Sequence, residues 1–141
     1  MRTAPQRILE LDEQHPASVV LAGKLMQFNE SQARPYDFTP LRLAIFDARG
    51  NISAGLLGAT GWAWLNIDIL FVEPALRNSG LGRELVQRAI EIARPRGCIG
   101  AMLDTFDFQA RGFYEKQGFS VFGELANMPP GHTRYWMRRD I

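Results

Sequence analysis

Between residues 72 and 82 the chain reads Val-Glu-Pro-Ala-Leu-Arg-Asn-Ser-Gly-Leu-Gly, the stretch best suited to hold a ligand. An apolar strand enters a turn, and Arg77-x-x-Gly80-x-Gly82 opens an amphipathic helix. Glycines there carry no side chain to block an approaching group. The first helical N–H groups have no intrahelical acceptor and lie at the positive end of the helix dipole. That is an anion cradle, suited to a phosphate or pyrophosphate. Two familiar phosphate loops do not fit. A Walker loop needs Gly-Lys-Ser/Thr, whereas Gly82 is followed by Arg83-Glu84, and a dinucleotide fingerprint needs Gly or Ala where Leu85 stands.

Three further residue types could do chemistry. Asp68 is a carboxylate in a largely apolar strand, which is costly unless it is paired. His132 follows Met128-Pro129-Pro130-Gly131 in a hairpin and titrates in a range useful for acid–base or orienting work; a solvated turn histidine is the other reading. His15, before Pro16, marks a helix boundary. Cys98 is the single cysteine, so an intrachain disulfide or a cysteine-based zinc site is excluded.

The elements that must position these residues follow from periodicity. Residues 6–11 alternate weakly and predict a first strand. Pro16 suits the first turn of a helix whose Val19, Ala22, Gly23 and Met26 share a face, with Pro35 and Pro40 ending it. Leu41 to Phe46 and Ile52 to Thr60 read as a hairpin around Asp47-Ala48-Arg49-Gly50-Asn51. Trp62 to Val72 is a strong strand, on which period-two alternation puts Asn66, Asp68, Leu70 and Val72 on one face. Leu81, Leu85, Ala89 and Ile92 form a helical stripe ended by Pro95 and Gly97. Cys98 to Thr105 is a strand parallel to 62–72 through that helix. Ala110 to Gln117 is a short helix closed by Gly118, and Phe119 to Glu124 and Thr133 to Arg139 are two closing strands. The order is β-α-β-β-β-α-β-α-β-β, a mixed sheet with helices on its faces.

Composition sets bounds on partners. The 141 residues suit one domain, with 46% hydrophobic and 22% charged residues. A net charge of +1 gives no basic field for nucleic acid or anionic lipid. No apolar run approaches the ~20 residues of a membrane span, and no signal-peptide h-region stands at the start. A soluble, cytoplasmic protein is the expectation.

Two blocks together resemble the GNAT N-acetyltransferase superfamily, which uses acetyl-CoA. Val72-x-Pro74-x-x-Arg77-x-x-Gly80-x-Gly82 is similar to its pyrophosphate loop. Gln109-Ala110-Arg111-Gly112-Phe113-Tyr114-Glu115-Lys116-Gln117-Gly118-Phe119 is similar to its Ala-x-x-(Leu/Phe)-Tyr-x-x-x-Gly-Phe signature. The element order from about residue 40 onward fits as well. The resemblance implies one acyl-CoA N-acyltransferase domain over residues 1–141. Its fold would be α/β (α+β), a mixed, mostly antiparallel sheet with splayed central strands flanked by helices. It further implies acetyl-CoA as cosubstrate, no metal, and the amine of a small molecule or peptide as acceptor.

By the same resemblance, backbone groups of Leu70, Phe71 and Val72 pair with the pantetheine arm. Arg77, with the N–H groups of Asn78, Ser79, Gly80, Leu81 and Gly82, holds the pyrophosphate. Tyr114 stands where a phenol protonates or hydrogen-bonds the departing thiolate, and Asp68 where a carboxylate takes the amine proton, commonly through water. Tyr36, Phe38, Asn66 and His132 would border the acceptor pocket. Where the family often has an Asn contact to the cofactor this chain has Asp107, an anion ill suited to a polyanion. Cys98, expected to be buried, argues against an acetyl-cysteine intermediate and for direct attack in a ternary complex. Two other classes remain open: a non-catalytic CoA-binding sensor or assembly module, and an unrelated nucleotide-binding domain. A homodimer is a further expectation, because the final strands leave an edge to cover.

Overall fold

A computed structural model describes residues 6–141. By its internal contacts the chain falls into a unit ending at Pro35 and a unit Tyr36–Ile141. The first unit contains α1 (Ala17–Gln32), which starts behind Pro16 as the sequence predicts. The strand expected at residues 6–11 does not form, and those residues are exposed. Their alternation is weak, and a short strand without a ladder leaves its backbone groups to water.

The second unit is a six-stranded sheet, β1 (Thr39–Phe46), β2 (Ile52–Gly61), β3 (Trp64–Val72), β4 (Gly100–Phe106), β5 (Ser120–Ala126) and β6 (Thr133–Asp140). Its spatial order is β1-β2-β3-β4-β6-β5. Every neighbouring pair is antiparallel except β3 and β4, which run parallel because α2 (Leu81–Ala93) crosses between them. The short α3 (Arg111–Lys116) joins β4 to β5 and ends at Gly118. The observed sheet is thus the mixed, mostly antiparallel one expected. Pro40 lies inside β1 rather than in a loop, which an edge strand tolerates.

The core lies between the sheet and α2. Leu85, Val86, Ala89, Ile90 and Ala93 are buried, with Leu81 and Ile92 partly so, hence the buried stripe centres on Val86 and Ile90. Leu56, Leu65, Leu103 and Met137 from four strands complete it. Each such side chain contributes roughly 1.5–3 kcal/mol by leaving water.

Trp62 and Ala63 do not extend β3. They form its tight turn from β2, with φ of 47° and 64°. Neither left-handed position of this turn is a glycine. The Trp62 N–H donates to the Tyr36 carbonyl at 2.8 Å, the Ala63 carbonyl accepts from Ile99 at 2.7 Å, and the Tyr36 ring meets the indole edge-on at 4.6 Å.

Candidate functional site

Two features of β3 prepare the site. The first is a bulge. Leu57 pairs with Ile69 and Gly58 with Ile67, so Asp68 is the extra residue in the ladder. The alternation therefore changes phase at Asp68. Leu65 and Ile67 are buried before it, and Leu70 and Val72 pack against the core after it, while Ile69 and Phe71 are exposed. Asn66 and Asp68 do not share a face with Leu70 and Val72, which corrects the period-two expectation. Gly58 permits the bulge, since a Cβ there would strike the Asn66 carbonyl and lie 3.3 Å from the Ile67 Cα.

The second feature is a fork. The β3–β4 ladder runs from Trp64 and Gly100 to Ile67 and Leu103, then stops. Beyond it β3 stays paired with β2 as far as Val72, and β4 with β6 as far as Phe106. The edge of β3 from Asp68 to Val72 thus carries no ladder toward β4. This is the splay expected between the central strands, with Leu70, Phe71 and Val72 along one wall. Asp68 stands at its foot, exposed, and accepts a hydrogen bond from the Asn66 amide.

Past Val72 the chain makes a one-turn 3-10 helix, Pro74–Leu76, and then reaches the anion cradle. Arg77 folds back, its Nε donating to the Val72 carbonyl at 3.0 Å and its guanidinium lying 5.8 Å from the Phe71 ring centre. The Ser79 hydroxyl donates to the Leu76 carbonyl. Asn78 and Gly80 have φ of 64° and 92°, so Gly80 is the residue type its backbone favours. The first helical bond of α2 runs from the Glu84 N–H to the Gly80 carbonyl at 3.0 Å. Among the described residues, no hydrogen bond uses the N–H groups of residues 78–83. A Cβ on Gly80 would meet nothing within 4 Å, whereas one on Gly82 would lie 3.2 Å from the Phe113 ring. Gly80 therefore serves the open side of the loop, and Gly82 lets α3 approach α2.

Tyr114 is 7% exposed, with its ring against Phe113 and Phe119 at 5.1 and 5.9 Å. Burial pushes its phenol up to about 12, and the Asp104 carboxylate adds to the rise. No hydrogen bond among the described residues takes the hydroxyl, yet no sealed side-chain polar atom lacks a partner, so the oxygen reaches the surface. Cys98 is 7% exposed, and burial raises its thiol against the opposing charge of Arg96. A buried neutral thiol is a poor nucleophile.

Tyr36 and Phe38 stand elsewhere. They stack at 6.0 Å beside Trp62, at the end of β3 opposite Val72. From Trp64, the first residue of β3, to Asp68 is four residues, roughly 13 Å of extended chain. The structure therefore does not bring them to the fork.

His132 is at the fork end, immediately before β6, where β4 terminates. Its Nδ1 lies 2.9 Å from Oδ1 of Asp107. The other carboxylate oxygen accepts the Thr133 N–H at 3.1 Å, and the Asp107 N–H donates to the Thr133 carbonyl at 3.0 Å. The Phe108 ring meets the imidazole edge-on at 4.9 Å. Asp107 is the residue whose role the sequence did not reveal. Its partner is 25 positions away, and only the β4–β6 pairing joins them. Nearby, Arg134 binds Asp104 at 2.9 Å and stacks on Trp136. An open cavity of about 510 Å³ lies along the solvent face of α2, lined by Arg83, Glu84, Gln87, Arg88, Glu91 and Gln117. Its mixed charges show no preference for an anion.

The described site is thus an open run of N–H groups at the end of a strand that parts from its parallel neighbour. The acetyltransferase (GNAT) family model matches residues 11–119. The chain belongs to that family of acetyltransferases. It is 39% identical over 94 residues to a blasticidin-S acetyltransferase of Streptomyces morookaense, covering 66% of this chain and 69% of that protein. It is 34% identical over 120 residues to an acetyltransferase of Agrobacterium fabrum, covering 85% and 84%. A crystal structure of an Agrobacterium tumefaciens protein described as an acetyltransferase superposes with a TM-score of 0.88 at 29% identity, covering 97% of this chain and all of that one. Among the described residues no helix is long and apolar enough to cross a membrane.

Proposed function

We propose that the protein transfers the acetyl group of acetyl-CoA to a primary amine by direct attack in a ternary complex. The observation that carries this reading is the run of unpaired N–H groups at residues 78–83, beside the ladder-free edge of β3. Four to six such donors suit a pyrophosphate, and charge-assisted bonds are the stronger class. The edge from Asp68 to Val72 suits an extended pantetheine arm, which can pair with it as a strand would. Acetyl-CoA supplies the thioester, and the chain's own residues supply position and charge.

Residues at the fork serve the transfer. The Asp68 carboxylate meets the incoming amine, directly or through water, and Asn66 fixes its orientation. A backbone N–H of the free β3 edge, at Leu70 or Val72, stabilises the oxyanion, a contribution of roughly 3–4 kcal/mol. Tyr114 serves the departing sulfur. A phenol at about 12 is less acidic than an alkyl thiol, so complete proton transfer to the thiolate is uphill. Its role is therefore to donate a hydrogen bond to the thiolate.

The likeness to a blasticidin-S acetyltransferase favours a small polar amine over a protein as acceptor. Calorimetry with acetyl-CoA, followed by a panel of amines read through free thiol release, tests the proposal. Blasticidin S, glucosamine 6-phosphate and a lysine peptide are the first probes. Binding with turnover of a small amine supports it. Tight binding without turnover across a broad panel would leave a CoA-holding module, and absence of binding would overturn the reading.

A further inference from the structure

We propose that His132 is the group that takes the proton from the attacking neutral amine, with Asp107 as its positioning residue. This rests on the acetyl-transfer reading above and assigns the proton within it.

The geometry of the imidazole is the argument. An ionised carboxylate 2.9 Å from Nδ1 has no proton to give, so Nδ1 carries the hydrogen, and in the neutral imidazole the lone pair is on Nε2. The carboxylate is itself fixed, because its second oxygen holds the Thr133 N–H and its own N–H bonds the Thr133 carbonyl. The histidine backbone is tied on both sides, its N–H to the Pro129 carbonyl at 2.9 Å and its carbonyl to the Met128 N–H at 3.2 Å. Phe108 stands edge-on against the ring at 4.9 Å and is stacked on Phe106 at 5.2 Å. A surface turn histidine needs none of these restraints. An imidazole held in one tautomer, with a free basic nitrogen, is built to accept a proton.

Position agrees. Asp107 follows the last residue of β4, the wall of the fork opposite Leu70 to Val72, and His132 precedes the first residue of β6 at that same end. The imidazole bonds the Asp107 carboxylate and meets the Phe108 ring edge-on. Arg134, two residues on, is bound to Asp104 and does not charge-pair with the histidine.

The step balances simply. The amine nitrogen forms its bond to the carbonyl carbon, the carbon–sulfur bond breaks, and the electron pair leaves on sulfur. The amine proton passes to Nε2 of His132 and then to solvent.

Two measurements decide the matter. The chain has two histidines, and the Nδ1 of His15 accepts the Ala17 N–H at 3.1 Å, so the two rings hold opposite tautomers. Imidazole 15N spectra should show His132 protonated on Nδ1 and His15 on Nε2. Asp107→Asn should abolish the His132 preference. With the amine the panel selects, Asp107→Asn should lower kcat with the acetyl-CoA Kd held within threefold. His132→Gln should lower kcat roughly 10²–10³-fold with the acetyl-CoA Kd held within threefold. Asp68→Asn should mainly raise KM for the amine. A His132→Gln kcat within threefold of wild type, an unchanged His132 tautomer in Asp107→Asn, or an Nε2-protonated His132 would overturn the assignment. Loss of acetyl-CoA binding by the wild-type protein would instead overturn the acetyl-transfer reading, while the tautomer would still report on the dyad.

Discussion

The two walls of the fork are made of different material. The loop after β3 is a device of the main chain: unpaired N–H groups, a left-handed Gly80, and an arginine strapped back to Val72. The wall at the end of β4 is a device of side chains, in which Asp107, His132 and Phe108 orient one another. Backbone sites tolerate most side-chain changes but fail when the main chain is filled or twisted. Side-chain sites fail residue by residue. In the proposed reaction, the contrast separates binding of the acetyl donor from handling of the acceptor's proton.

The sharpest break of the first wall is Gly80→Glu. It forces a side chain into a φ of 92° and sets an anion beside the N–H cradle. Loss of even two charge-assisted hydrogen bonds, about 1.5–3 kcal/mol each, predicts at least a 100-fold weaker acetyl-CoA Kd by calorimetry. The neighbouring Asp107–His132 tautomer should be unchanged.

Gly58→Val attacks the bulge that sets the phase of β3. Its Cβ would collide with the Asn66 backbone, and the expected loss is about 2–3 kcal/mol in urea unfolding. A neutral result would mean that Asp68 is not held by the ladder slip.

Tyr114→Phe removes a hydrogen-bond donor from the departing sulfur. kcat should fall about 10- to 100-fold, at roughly 1.5–3 kcal/mol for a bond to a charged group, with acetyl-CoA affinity within threefold. The phenol also gives a pH signature. Its folded value is raised from 10 to about 12, so it stays protonated in the fold while the unfolded chain ionises. Stability is therefore constant below pH 10 and declines from pH 10 to 12, by at most roughly 2–3 kcal/mol. Ultraviolet titration of the three tyrosines should show one phenol ionising near 12, absent in Tyr114→Phe.

The smallest effect is expected from Tyr36→Leu. Its ring packs on Trp62, far along β3 from the fork, so stability should fall by about 1 kcal/mol and kcat/KM should change less than threefold. A large rise in KM for the amine would return Tyr36 to the acceptor pocket.

What the sequence shows depends on the distance over which a feature is encoded. The cradle is spelled out in eleven contiguous residues, and α2 announces itself by periodicity, so both were readable. The fork followed from the motif pair together with a helix joining two parallel strands. The bulge at Asp68 was not readable, because alternation assumes a regular ladder and the slip is set by Gly58 on the neighbouring strand. The turn at Trp62 and Ala63 has no glycine at its left-handed positions and depends on Tyr36. Asp107 read only as a poor cofactor contact, since its partner lies across a strand pairing that composition does not reveal.

The central claim is that main-chain donors at the start of α2 grip the diphosphate of acetyl-CoA. Amide 1H–15N spectra recorded during an acetyl-CoA titration test it directly. The account predicts the largest downfield proton shifts at residues 78–83, with saturation matching the calorimetric Kd. Unmoved amides in that segment, with acetyl-CoA bound and shifts elsewhere, would contradict it.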